Sequence, residues 1–197
     1  LCFAFDPDDR QFAAATLIEL GFTLDTALLT PSESLLAMIR LQWWIDSLQS
    51  TATETAPLVQ NLRIACEQQP DMRDRLIGVI GCWQDSCHDE QRNSHPGWQA
   101  LWRLLGETFS VMPDQAAATG RFAMSTDDAT ASGFADRSNL LALRHMADGA
   151  PSHWLYLLAC LGAYRRRKNR PNPQPDDSAM LGWHILLWRL GRPPRLG

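Results

Sequence analysis

Apolar residues recur at spacings of three and four along almost the whole chain, which is the period of an amphipathic helix. The clearest run extends from Trp98 to Phe109. No stretch alternates apolar and polar residues with a period of two, and no Asn-Gly pair marks a hairpin. The pattern predicts an all-α fold.

Capping residues, prolines and glycines divide this pattern into separate helices. Gly21 interrupts the first segment as either a kink or a stop. Asp71, Pro113 and Ser152 each mark the start of a further helix. The predicted segments are 6–29, 30–49, 58–66, 71–83, 98–109, 113–124, 134–146, 152–161 and 179–190.

The segment from Thr30 to Gln49 has the strongest start signal and the densest apolar surface of the chain. Thr30 can cap it, Pro31 fits the first helical position, and Glu33 completes a capping box. Because its apolar side chains occupy nearly the whole circumference, this helix is expected to be buried at the centre of the fold. Its main apolar face comprises Ala37, Met38, Leu41, Trp44, Ile45 and Leu48, and further apolar positions are Leu35, Leu36, Ile39 and Trp43.

Polar side chains occupy only two narrow stripes on this central helix. One stripe consists of Arg40 and Ser47, and the other consists of Gln42, Asp46 and Gln49. Any polar cavity of the fold is expected to meet one of these stripes.

The composition is that of an ordinary globular protein, with 45% apolar and 20% charged residues in a chain of 197. This length fits one domain, 1–197, with a basic proline-rich loop at 165–176 and a short tail at 191–197. A net charge of −4 argues against a general nucleic-acid binder. Eight tryptophans indicate a core of large side chains or, alternatively, a cavity for an extended apolar ligand.

The five cysteines have no spacing that indicates disulfides or zinc. Cys82, Cys87 and His88 match no standard zinc pattern, so no metal site is predicted. Free cysteines within apolar helices suit a reducing cytoplasm. The chain has no uninterrupted run of about eighteen apolar residues, so no membrane span is predicted. A targeting signal before Leu1 stays open as an alternative.

A basic cluster follows the apolar helix that Ser152 caps, and prolines follow the cluster. A solvated linker explains it, because cations at a helix C-terminus complement the helix dipole. The alternative is a phosphate or lipid-headgroup contact, which would attach a cytoplasmic protein peripherally to the inner membrane. The cluster comprises Arg165, Arg166, Arg167, Lys168 and Arg170.

No nucleophile elbow, zinc-protease helix, P-loop or dinucleotide-binding loop occurs in the chain. The five histidines are scattered, and no pair of carboxylates has an obvious acid–base arrangement. Spacing alone therefore assigns no catalytic residue.

The chain nevertheless resembles the bacterial squalene/phytoene synthase family, and in particular its divergent branch. The similarity lies in the segment Phe22–Leu28 and above all in Ile39–Leu48, which reads Ile-Arg-Leu-Gln-Trp-Trp-Ile-Asp-Ser-Leu. Gly81–Trp83 and the C-terminal run Leu186–Arg192 fall in the order that this family shows.

Membership would imply an isoprenoid (terpenoid) synthase-like helical bundle around a deep apolar cavity. Active members condense two prenyl diphosphates head to head, and two aspartate-rich helices hold the diphosphates through Mg²⁺. Clustered carboxylates recruit the hard cations that stabilise a departing diphosphate. Apolar walls shield the allylic cation from water.

The acidic residues of this chain depart from that family pattern. The first motif would lie on the helix before Thr30, where the segment Phe22–Leu29 contains the single carboxylate Asp25. Near the second motif, Asp127, Asp128 and Asp136 lack the required spacing, and Asp127 with Asp128 is a candidate residual acidic site. One carboxylate cannot assemble a site for several Mg²⁺ ions.

The resemblance therefore implies a non-catalytic or altered family member without a cofactor, similar to the mitochondrial complex I assembly factor that resembles this family. It would bind an isoprenoid or lipid-like ligand, or a partner protein. Two alternatives stay open: an active prenyltransferase of isoprenoid biosynthesis, which would need Mg²⁺, and a helical interaction module with a filled core. The candidate cavity or ligand residues are Asp25, Arg40, Trp43, Trp44 and Ser47.

Overall fold

The computed structural model describes residues 8–51, 56–67, 69, 71–89, 91–124 and 153–167, together with 182, 183 and 185. These ranges contain helices and connecting turns but no β-strand, which confirms the predicted all-α class. A 3₁₀ turn, Ser86–His88, follows the fourth helix. The helices are α1 (Asp8–Leu29), α2 (Ser34–Gln49), α3 (Pro57–Glu67), α4 (Met72–Asp85), α5 (His95–Thr108), α6 (Pro113–Met124) and α7 (His153–Arg167).

Most predicted helices that fall in the described ranges are present. Helix α6 begins at Pro113 as predicted, and Asp71 is the N-cap residue of α4. Gly182, Trp183 and Ile185, within the predicted last helix, are helical. The predicted helix 134–146, most of the loop 165–176 and the tail 191–197 lie outside the described residues.

Backbone contacts divide the chain into two compact units. The first unit is Phe12–Leu105, and the second consists of Leu1–Gln11 and Gly106–Gly197. Most of α1 and α5 and all of α2, α3 and α4 belong to the first unit, whereas α6 and α7 belong to the second. The assignment of 1–197 as one domain stays a prediction.

Helix α1 runs without interruption through Gly21, so this glycine does not end the helix. A Cβ atom added at Gly21 would lie 2.6 Å from the ring of Trp98, and the close approach of the two helices therefore requires glycine here. The buried side of α1 recurs at helical spacing and enters the core of the first unit. Its fully buried leucines are Leu17, Leu20, Leu24 and Leu28.

The segment Arg10–Leu29 of α1 is long and apolar enough to cross a membrane by length and composition. The sequence pattern did not predict a possible membrane span here, because polar residues interrupt the apolar run of the segment. Half of the segment's most apolar window is buried inside the protein, and core helices of globular proteins meet the same criteria. We therefore describe α1 as a core helix of the first unit.

Helix α2 begins at Ser34, so the predicted capping box at Thr30 is wrong. Glu33 is the N-cap residue, and its side chain makes no capping hydrogen bond. The amide of Thr30 donates to the carbonyl of Thr26 at 3.1 Å. Thr30 thus completes the last turn of α1, and its amide is not available to Glu33 for a capping box.

Only one side of α2 is buried, so the predicted burial around nearly its whole circumference is wrong. This side packs against α3, α4 and the 3₁₀ turn. The other apolar side chains face solvent: Leu35 is 63% exposed, Ile39 57%, Trp43 46% and Leu36 45%. Helix α2 is therefore an outer wall of the first unit. Its buried residues are Ala37, Leu41, Trp44, Ile45, Ser47 and Leu48.

Helices α6 and α7 pack closely against each other in the second unit. A Cβ atom added at Gly162 of α7 would lie 2.7 Å from the ring of Phe122 in α6. The rings of Phe109 and Trp154 have centroids 5.6 Å apart, and both side chains are fully buried. Close approach at Gly162 therefore joins α6 to α7, and the aromatic contact of Phe109 ties the turn after α5 to α7.

Arg165 belongs to the packed interior of the second unit and not to a solvated cluster. Its side chain is 9% exposed, and its Nη1 donates to the carbonyl of Ala123 at 3.3 Å. A cation at this position complements the negative C-terminal end of α6. The predicted headgroup contact cannot use Arg165, and it stays a prediction for Arg166, Arg167, Lys168 and Arg170, whose side chains lie outside the described part.

The adjacent residues Trp43 and Trp44 test the one-sided burial of α2. Trp44→Ala should lower the free energy of unfolding by about 3–5 kcal/mol, because it opens a cavity in the core. Trp43→Ala should lower it by less than about 1.5 kcal/mol, because this side chain is half-exposed. Urea denaturation followed by circular dichroism measures both values. Equal losses would contradict the burial pattern.

Candidate functional site

Asp25 accepts hydrogen bonds from the indoles of two tryptophans on two other helices. Trp83 Nε1 in α4 donates to Oδ1 at 2.8 Å, and Trp98 Nε1 in α5 donates to Oδ2 at 2.7 Å. Hydrogen bonds to a carboxylate are stronger than those between neutral groups. We call these three residues the Asp25 clasp, because one side chain of α1 ties together three helices.

Aromatic rings surround the indole of Trp98. Phe22 and Trp83 contact it in T-shaped arrangements, with ring centroids 5.1 Å and 5.9 Å away, and Trp102 stacks on it at 6.1 Å. Trp83 is fully buried, and Trp98 and Trp102 are nearly so. The surrounding apolar rings lower the local dielectric, which strengthens the bonds to Asp25.

Local sequence explains how the clasp assembles. Phe22 and Asp25 are three residues apart on α1 and lie on one helical face, so both reach Trp98. Gly97 precedes Trp98, and a Cβ atom there would overlap the ring of Trp83. This glycine therefore lets the start of α5 approach α4 closely enough for both indoles to reach one carboxylate.

Sequence reasoning placed Trp83 and Trp98 in the core but did not identify them as partners of Asp25. They lie 58 and 73 positions away from Asp25 along the chain. Helical periodicity shows which side chains are buried, but it does not show which elements meet. No signal in the linear spacing could have identified this contact.

The candidate residues on α2 do not share a site with the clasp. No hydrogen bond joins Asp25 to α2 among the described residues. Arg40 is exposed and Ser47 is buried, so their stripe is divided between solvent and core. Trp43 and Trp44 form a T-shaped pair with ring centroids 4.9 Å apart, one half-exposed and the other buried. A ligand role for these residues stays a prediction.

Arg63, which sequence reasoning did not single out, completes the end of α2. Its Nη2 donates to the carbonyls of Ser47 at 2.6 Å and Ser50 at 2.5 Å. The last carbonyls of a helix lack partners within the helix, and this guanidinium from α3 supplies one. Ser47 therefore contributes its backbone to the fold.

Arg92, also missed in the sequence, holds the connection between α1 and α2. Its Nη1 donates to the carbonyl of Pro31, and its Nη2 donates to the carbonyl of Ser32 at 2.8 Å and approaches Ser34 Oγ at 3.4 Å. The backbone of Arg92 has a φ of 43°, which is unusual for a residue other than glycine. The contacts with this connection offset the cost of that conformation.

No group of three or more His, Cys, Asp or Glu side chains in the described part of the chain is placed to hold a metal ion. Asp25 alone fits a Mg²⁺ site poorly, because it belongs to no such group and its two oxygens already accept indole hydrogen bonds. Asp127 and Asp128 lie outside the described residues, so the residual acidic site stays a prediction.

The thiols of Cys82 and Cys87 make hydrogen bonds to helix carbonyls. Cys82 Sγ donates to Gly78 at 3.5 Å, and Cys87 Sγ donates to Trp83 at 3.8 Å. Burial raises the pKa of both thiols, and it also raises the pKa of the Cys66 thiol despite the nearby Arg73. These thiols are therefore protonated at neutral pH, a form that is a poor nucleophile and a poor metal ligand.

No protein-family model matches this chain, and no curated protein or solved structure is significantly similar to it. The resemblance to the squalene/phytoene synthase family therefore rests on the sequence segments described above, chiefly Ile39–Leu48.

A double-mutant cycle tests the Asp25 clasp. Asp25→Ala should lower the free energy of unfolding by about 2–4 kcal/mol, because two buried indole N–H groups lose their acceptor. Trp98→Phe keeps an aromatic ring and removes one donor. Urea denaturation of both single variants and the double variant should give a coupling energy of about 1–3 kcal/mol. A coupling energy near zero would show that the two side chains act independently.

Alkylation tests the state of two buried thiols, Cys66 and Cys87, and of the partly buried Cys82. At pH 8, iodoacetamide should modify Cys66, Cys82 and Cys87 much more slowly in the native protein than in urea, as measured by peptide mass spectrometry. A raised folded-state pKa stabilises the protein below the unfolded pKa, and this contribution is lost as the pH rises through the folded pKa. Stability should therefore fall above roughly pH 8.5. Equally fast labelling of native and unfolded protein would contradict the burial.

Proposed function

We propose that this chain is a non-catalytic or catalytically altered relative of the squalene/phytoene synthases, which binds an isoprenoid or lipid-like ligand or a partner protein. The motif Ile39–Leu48 and the position of Asp25 in the preceding helix support the relationship. The all-helical structure agrees with an isoprenoid synthase-like bundle.

The Asp25 clasp carries the proposal. An aspartate that binds Mg²⁺ for a diphosphate must act together with other carboxylates. Among the described residues Asp25 belongs to no such group, and its two oxygens accept indole hydrogen bonds. The residues one helical turn away on either side are Gly21, Phe22, Leu28 and Leu29, none of which is acidic. The carboxylate therefore serves packing between helices.

Exposed apolar side chains in the first unit support a binding role. Phe22 and Leu29 on α1 are about half-exposed, as are several apolar residues on α2. Single apolar residues on a surface are ordinary, but contiguous apolar patches often mark binding sites. The chain thus combines an aspartate that is bound by two indoles with exposed apolar side chains.

Incubation with labelled farnesyl or geranylgeranyl diphosphate and MgCl₂ tests whether the chain lacks prenyltransferase activity. We expect no condensed product above a control without protein, while an active squalene synthase run in parallel supplies the positive control. Turnover at an ordinary enzymatic rate, about 1 s⁻¹ or more, would overturn the proposal.

A thermal-shift measurement tests the ligand. A bound prenyl diphosphate should raise the melting temperature, because a ligand that binds only the folded state stabilises it by about 2.7 kcal/mol at one hundred times its Kd. The shift should be the same with MgCl₂ and with EDTA. A shift that requires MgCl₂ would indicate a retained metal site.

A further inference from the structure

Four apolar side chains form a continuous exposed strip along α2. They are Leu35, Leu36, Ile39 and Trp43, which we call the α2 strip. Their spacings of three, four and seven place them on one helical face, turned away from the buried Leu41. Nothing in the described residues covers this face, and each of the four side chains is 45–63% exposed.

Trp43 is held in place at one end of the strip. Its ring packs edge-on against that of Trp44, with centroids 4.9 Å apart, and Trp44 is itself buried. A side chain that is already fixed loses little conformational freedom when a partner binds. Tryptophan is also among the residues that contribute most to protein–protein binding. Trp43 is therefore suited to be the main contact residue for a bound partner.

The two edges of the strip differ in charge. At 100° per residue, Arg40 lies on one edge, where it is exposed and has no ion-pair partner among the described residues. Gln42 lies on the other edge, Asp46 follows the strip two turns after Ile39, and these two side chains are already engaged. Gln42 donates to Asp46 at 2.8 Å and accepts from Gln84 of α4 at 3.0 Å. A complementary partner therefore needs a carboxylate on the Arg40 side.

The size of the strip limits what can cover it. From Leu35 to Trp43 it is about 12 Å long, at about 1.5 Å per residue. Four half-exposed side chains present only a few hundred Å², whereas a stable dimer of globular subunits buries about 800 Å² on each. The area of the strip is thus too small to support a stable dimer with a second copy of this chain. Two turns of one amphipathic helix match both the length and the spacing.

We propose that the α2 strip docks an amphipathic helix of a partner protein, with leucine-type side chains against Leu35, Ile39 and Trp43 and carboxylates facing Arg40. This names the partner class for the binding role proposed above and rests on that role. The two proposals can be tested separately. Turnover of prenyl diphosphates tests the loss of catalysis at Asp25, whereas binding of a helical peptide tests the α2 strip.

Two fluorescently labelled synthetic peptides of about 18 residues, long enough to form a helix, serve as probes. Both carry leucines at spacings of three and four; one has glutamates along one edge of this stripe, and the other has lysines there. Fluorescence anisotropy measures their binding to the full chain and to Ile39→Ser and Arg40→Glu. Ile64→Ser, at an exposed isoleucine of α3, is the matched control.

The wild-type chain and I64S should bind the glutamate peptide about tenfold more tightly than the lysine peptide. R40E should reverse this preference, and I39S should bind neither peptide. Since all three positions are exposed, the variants should keep the melting temperature and circular dichroism of the wild type.

Failure of the glutamate peptide to bind the wild-type chain would overturn the proposal, as would equal binding by I39S. An Ile39-dependent dimer in analytical ultracentrifugation would assign the strip to a second copy. Ile39-dependent cosedimentation with phosphatidylcholine vesicles would assign it to a bilayer. Both results would also overturn the proposal.

Discussion

The two hydrogen bonds to Asp25 constrain how α1, α4 and α5 can pack in the first unit. The buried indole N–H groups of Trp83 and Trp98 would be destabilising without an acceptor, and each donates to the partly exposed carboxylate of Asp25. Both indoles must therefore approach one side chain of α1. The glycines at 21 and 97 leave the room that this approach needs. Hydrogen bonding and close packing thus require the same arrangement.

Arginines make a second set of constraints at the ends of helices. Arg63 binds carbonyls at the end of α2, Arg92 binds the connection before α2, and Arg165 binds a carbonyl at the end of α6. Each guanidinium comes from a different element than the carbonyls it binds, so each also positions neighbouring elements. The planar guanidinium has several donors in fixed directions, which a lysine ammonium does not provide. These residues are therefore structural cations.

The segment that carries the family resemblance is divided between two roles. Leu41, Trp44 and Leu48 enter the core, whereas Ile39, Arg40 and Trp43 face solvent. A helix with apolar residues on both sides can pack inward and still present an apolar outer face. In the preceding helix, Asp25 is used for packing. The proposal of a binding scaffold rests on these two features.

The sequence by itself determined the helical class, the start of α6 at Pro113 and the amphipathic α5, because periodicity and capping are local properties. It could not determine which side of α2 is buried, because apolar residues lie on both sides and only contact with α3 and α4 selects one. The residue at which α2 starts could not be determined either, because the amide of Thr30 is hydrogen-bonded to the last turn of α1. The partners of Asp25 lie 58 and 73 positions away, and only the tertiary structure brings them together.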